Sequence, residues 1–175
     1  VISATVGSDT TCDIGVDEKG NVVRTTQEAT WNLNRSNYDG LTTSTGGSTL
    51  LSAPGANKFI IVEKATWLVK YTYNGSNSYA APTGQFFEIR QTGGSSDTLA
   101  VLSYNHLNRI VFGNGSGGGV RYGIYEHDTG FSTLNRVYKP NQAVTINRKT
   151  TSNLPTNIAF IILKIRYRVF DAGTF

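Results

Sequence analysis

The run F-G-N-G-S-G-G-G-V, from Phe112 to Val120, places Gly113, Gly115 and Gly118 at the G-x-G-x-x-G spacing by which a backbone cradles a pyrophosphate. That chemistry requires a strand feeding a helix, because the anion sits on the free N–H groups of the helix's first turn. R-I-V-F before the loop and V-R-Y-G-I-Y-E after it both carry strand-forming residues, and no Gly-Lys-Ser/Thr is present. The glycines are therefore expected to connect a hairpin and to bind no nucleotide.

Other reactive types are scattered. Glu126-His127-Asp128 groups three titratable residues, but neighbours in an extended run point to opposite faces, so they do not converge on one metal ion. His106 stands alone and reads as a half-buried hydrogen-bonding residue. Cys12 is the single cysteine, with no disulfide partner and no basic neighbour to lower its pKa. Gly115-Ser116-Gly117 lacks the strand-to-helix turn of a nucleophile elbow. None of the 12 Asp and Glu residues singles out a facing pair for glycoside hydrolysis. The expectation is a protein that is not an enzyme, with no catalytic residue, no metal and no cofactor.

What remains to be positioned is a surface. A chain of 175 residues without a break in composition supports one domain with a sizeable core. Gly, Ser, Thr and Asn separate short Val, Ile, Phe and Tyr runs, and charged residues make up only 16%, the texture of an all-β protein. The net charge of +4 is far from that of a polybasic nucleic-acid binder. The longest apolar stretch, Ile158–Leu163, runs into Lys164, Arg166 and Arg168, so no membrane span is expected. The chain begins at Val1 and holds no methionine, so the initiator is expected to have been removed or the start trimmed.

Residues 1–48 are thin in apolar side chains and are expected to form an extended arm packed on the body or on a neighbouring subunit, with a small hairpin about Lys19-Gly20-Asn21. The body, 49–175, opens at the Pro54-Gly55 turn and enters K-F-I-I-V-E-K-A-T-W-L-V-K-Y-T-Y. Alternation puts Phe59, Ile61, Ala65, Trp67, Val69, Tyr71 and Tyr73 on one side, with Glu63 breaking it. Thr98–Leu107 fits either a short helix capped by Asp97 or a strand. In N-I-A-F-I-I-L-K-I-R-Y-R-V-F, Ala159, Ile161, Leu163, Ile165, Tyr167 and Val169 should face the core. The opposite face changes from Ile158, Phe160 and Ile162 to Lys164, Arg166 and Arg168, so half of it is expected to lie beneath another subunit or the arm.

About eight strands and turn-rich loops give an all-β fold class: a two-sheet antiparallel β-sandwich, a jelly roll, with an extended N-terminal arm. The candidate partner-binding residues are Trp31 and Tyr38 in the arm and Lys164, Arg166 and Arg168 on the last strand. Tyr167 lies opposite that basic trio, so cations and aromatics do not interleave as in a strand that stacks bases.

L-L-S-A-P-G-A-N-K-F-I-I-V-E-K-A-T-W-L-V-K-Y, together with K-P-N-Q-A-V-T-I-N-R and a long final strand holding I-R-Y-R-V-F, resembles the small jelly-roll decoration, or cement, proteins of tailed bacteriophage heads. The likeness covers roughly Leu50 to Phe170. It implies a non-enzymatic virion protein on the capsid surface, a homotrimer that binds the major capsid protein and braces joints between capsomers, with no nucleic acid or membrane as partner. A receptor- or carbohydrate-binding module of a phage fibre or secreted protein would use the same sandwich, stacking Tyr79, Tyr104 or Phe131 on sugars.

Overall fold

A computed structural model describes residues 14–16, 22–24, 26–41, 47–73, 85–92, 98–103, 119–128, 138–149 and 158–171. Its elements are β1 (Ile14–Val16), β2 (Val22–Arg24), β3 (Gln27–Asn34), α1 (Arg35–Asp39), β4 (Ser48–Leu51), β5 (Lys58–Tyr73), β6 (Gln85–Gln91), β7 (Thr98–Ser103), β8 (Gly119–Asp128), β9 (Val144–Arg148) and β10 (Ile158–Asp171). β1 and β2 pair antiparallel, Ile14 opposite Arg24 and Val16 opposite Val22; Lys19-Gly20-Asn21, about which a hairpin was expected, lies outside the described residues. The remaining strands form two antiparallel four-stranded sheets, in the orders β3-β10-β5-β8 and β4-β9-β6-β7. The fold is an all-β sandwich.

Its core lies where the two inner faces meet. Trp67 of β5 stacks on Phe87 of β6 with centroids 5.4 Å apart and planes at 12°. Tyr38 meets the same Phe87 ring edge-on at 5.4 Å, the other arrangement that ring quadrupoles favour. Leu33, Val62, Val69, Ile89, Leu102, Ile146, Ile161 and Leu163 fill the space around them. Each such side chain contributes about 1.5–3 kcal/mol by leaving water. Gln91 Nε2 donates to Ile60 O at 3.3 Å, tying the sheets together from within.

Two irregularities set which residues face that core. In β5 the buried positions are Ile60 and Val62, then Ala65, Trp67, Val69 and Tyr71, so the phase inverts about Glu63. Val62 pairs with Tyr167 and Lys64 with Arg166, leaving Glu63 as the extra residue of a bulge. Phe59 and Ile61, expected to share a side with Ala65, therefore lie opposite it. A second register step, between Ile158 and Phe160, buries Ile158 and exposes Ala159, which alternation alone placed inside. Val169 was also expected inside but is exposed, because pairing with β3 ends at Tyr167–Gln27 and Val169 has no β3 residue beside it.

The N-terminal boundary expected at residue 48 also moves. β3 pairs with β10 from Gln27–Tyr167 to Asn34–Phe160, and Trp31, Leu33, Tyr38 and Leu41 all lie in the core. Residues 27–41 are thus part of the sandwich. The reason is local: Trp31 and Leu33 give one apolar face, while Thr30, Asn32 and Asn34 keep the other face exposed. Asn34 then caps α1, its Oδ1 accepting from Asn37 N at 2.9 Å. Residues 1–13 lie outside the described residues.

The Pro54-Gly55 and Pro140-Asn141 turns clasp each other. Gly55, Asn57 and Asn141 have φ of 106°, 59° and 55°, the left-handed region that Gly and Asn tolerate best. Asn141 N donates to Lys58 O at 2.8 Å and Gly55 N donates to Asn141 Oδ1 at 3.1 Å, joining the approach to β5 with the approach to β9. Thr98–Ser103, left open between helix and strand, is strand β7.

Candidate interaction face

Register places the outward residues of the β3-β10-β5-β8 sheet in rows across the strands. One row is Asn34, Phe160, Lys70 and Tyr122, and the next is Asn32, Ile162, Leu68 and Ile124. Then come Thr30, Lys164, Thr66 and Glu126, followed by Glu28, Arg166 and Lys64. The face therefore divides into an apolar half and a charged half.

The charged half closes on itself. Lys164 Nζ lies 2.7 Å from Glu28 Oε2 and Lys64 Nζ lies 2.8 Å from Glu126 Oε1. Arg166 Nε and Arg168 Nε hold the two oxygens of Glu63 at 3.2 Å and 2.5 Å. The bulge makes this possible by turning Glu63 outward beside Lys64. The hydrogen bond from Lys64 is the largest effect on Glu126; with that cation's charge and the Thr66 hydroxyl it outweighs desolvation and holds the carboxyl below its ordinary range. The basic trio singled out in the sequence is thus on the outer face, with acidic partners from β3 and β5 that no reading of β10 alone supplies.

Trp31 and Tyr38, the other candidate contact residues, are 2% and 0% exposed. They pack the core and present no surface to a partner in this arrangement. The structure does not bring them together with Lys164, Arg166 and Arg168 on one face.

The apolar half was only partly visible in the sequence. Val120, Tyr122 and Ile124 of β8 are 59%, 60% and 65% exposed, while Arg121, Gly123, Tyr125 and His127 turn toward the sandwich and are partly covered. β8 thus reverses the usual polarity of a strand with one wet face. Burial of Tyr125 pushes its hydroxyl pKa up. Leu68, Phe160 and Ile162, half-buried, continue the apolar surface across β5 and β10. Lys70 lies within it, its ammonium 5.8 Å from the Tyr122 ring centroid and 5.4 Å from that of Phe160, where ring quadrupoles attract the charge.

A second polar cluster, missed in the sequence, is buried on the other sheet. Glu88 and Arg90 of β6 stand beside Thr98, Thr145 and Asn147, with Glu88 Oε2 3.1 Å from Lys149 Nζ and 3.8 Å from Arg90 Nη1. Burial raises the Glu88 pKa, but hydrogen bonds from Thr98 and Lys149 and the charges of Lys149 and Arg90 outweigh it, and the net shift is downward. A carboxylate held ionised between two cations suits structural pairing better than proton transfer near neutral pH. Glu126 and His127 alternate across β8 as expected of a strand. Among the described residues, no three His, Cys, Asp or Glu side chains converge as a metal site, and no helix is long and apolar enough to cross a membrane. The glycine loop at Gly113–Gly118, Cys12, His106, Tyr79, Tyr104 and Phe131 lie outside the described residues.

No protein-family model, no curated protein and no solved structure matches this chain.

Proposed function

We propose that this is a non-enzymatic virion structural protein, a decoration protein that binds major capsid protein subunits and stabilises the shell of a tailed phage. The observation that carries this reading is the apolar row on β8, about three-fifths exposed where a strand's wet face is ordinarily polar. Burying such a row on a partner gains free energy without any catalytic group. The neighbouring charged half is already paired within the sheet, so it can approach another protein without stranding a bare charge. The finer assignment of a jelly roll is supported by connectivity: β3, β5, β8 and β10 share one sheet and β4, β6, β7 and β9 the other, so the chain repeatedly crosses between layers. The resemblance adds the capsid surface as location and an oligomer as working form.

Pelleting tests this reading. Purified protein mixed with empty shells of the phage that encodes it should co-sediment to saturation. Phe160→Glu, a charge at the centre of the apolar half, should weaken attachment at least about tenfold, or 1.4 kcal/mol. Protein that remains in the supernatant at all concentrations would overturn the assignment.

A further inference from the structure

The lysines of the outer sheet fall into two kinds. Lys58, Lys64 and Lys164 each hold a carboxylate on a neighbouring strand. Lys70 does not: among the described residues no carboxylate pairs with it. Register shows why. Phe160 of β10 and Tyr122 of β8 stand beside Lys70, and Leu68 and Thr72 are its neighbours along β5 on the same face. None of these is acidic. Glu126 lies in the row of Thr66, about 13 Å along β5, and is already held by Lys64. The two rings beside Lys70 also hold its charge in place, with the ammonium 5.8 Å from the Tyr122 centroid and 5.4 Å from that of Phe160.

We infer that Lys70 sets the specificity of this face, and that the partner surface brings to its ammonium a carboxylate set among apolar side chains. The inference rests on the adhesive reading of the face and names the chemistry of the partner. Any partner that covers Tyr122 and Phe160 also takes water away from the half-buried lysine between them. A purely apolar surface would strip that hydration and return no counter-charge, which is unfavourable. A carboxylate arriving at the same point pairs with a cation that the rings already hold in place, and it does so where expelled water no longer weakens the attraction. The apolar residues then supply adhesion, and the lysine rejects partners that lack the acid.

Charge argues against other occupants. A second copy of this face would bring another Lys70 and no unengaged acid, because Glu28, Glu63 and Glu126 are held by Lys164, by Arg166 with Arg168, and by Lys64. A nucleic acid, whose binding draws on many phosphate contacts, would meet a face whose other described cations are already paired.

Co-sedimentation with empty shells of the phage that encodes the protein, followed by carbodiimide coupling, tests this. Lys70→Met keeps a long apolar side chain without the charge and should attach at least about tenfold more weakly than the wild type. Lys70→Glu should stay in the supernatant, and Lys70→Arg, which keeps the charge, should retain most of the attachment. All three should give the circular dichroism spectrum of the wild type. A water-soluble carbodiimide condenses an amine with a carboxylate in contact with it, the reagent taking up the water released. On wild-type complexes it should join Lys70 to an Asp or Glu of the capsid protein, found by peptide mass spectrometry, and Lys70→Arg complexes should lack that link. Attachment of Lys70→Met as tight as that of the wild type, or wild-type complexes in which Lys70 is not linked to a capsid carboxylate, overturns the inference and leaves the adhesive reading in place. A wild type that never pellets with shells overturns the adhesive reading and the inference with it.

Discussion

Glu88 occupies a position where a carboxylate is hard to replace. It is buried with Lys149 at 3.1 Å and Arg90 at 3.8 Å, and the Arg90 side chain is buried as well. Glu88→Gln removes the buried negative charge held between Lys149 and Arg90 and is expected to lower the unfolding free energy by about 3 kcal/mol, read by urea denaturation. Lys164→Ala, which removes an exposed pair with Glu28, should cost less than about 1 kcal/mol in the same assay. The pH dependence has a definite sign. The folded pKa of Glu88 lies below its ordinary value of 4.5, so its stabilising effect is complete above that value and fades as pH falls through the lowered one. The wild type and Glu88→Gln should therefore converge in stability under strongly acidic conditions.

At the level of elements, Gly47 shows how β4 is seated against β9. Its φ is +57°, and a Cβ there would lie 1.9 Å from Asn147 Oδ1 and 3.0 Å from the Ile146 carbonyl oxygen. Gly47→Ala is expected to cost about 2 kcal/mol or more, visible as a lowered thermal midpoint. The long strands β5 and β10 were legible from alternation and from Ile, Val and aromatic content, and the Pro54-Gly55 turn from its residue types. The phase inversions were not, because a bulge is defined by the strand opposite: nothing in K-F-I-I-V-E-K-A says that Glu63 lacks a partner on β10. β3 was hidden because only Trp31 and Leu33, with the small Ala29, supply its apolar inward face within a polar segment. The candidate face was half legible, through Phe160 and Ile162. Its other half was not, because Val120, Tyr122 and Ile124 alternate as core residues do, and only the register of β8 on β5 turns them outward.

At the scale of the whole fold, an aromatic cluster among the described residues joins the two sheets, Trp67 on Phe87 with Tyr38 at its edge. Phe87→Ala removes the ring both partners rest on and should cost about 3–5 kcal/mol, with both sheets unfolding in a single transition in calorimetry. That pair of layers presents, on its outer face, the apolar half proposed to dock on a capsid partner. Hydroxyl-radical footprinting of the protein free and bound to phage shells tests this docking most directly. Tyr122 and Phe160 should lose most of their reactivity on binding; attachment that leaves both rings as reactive as in free protein would contradict it.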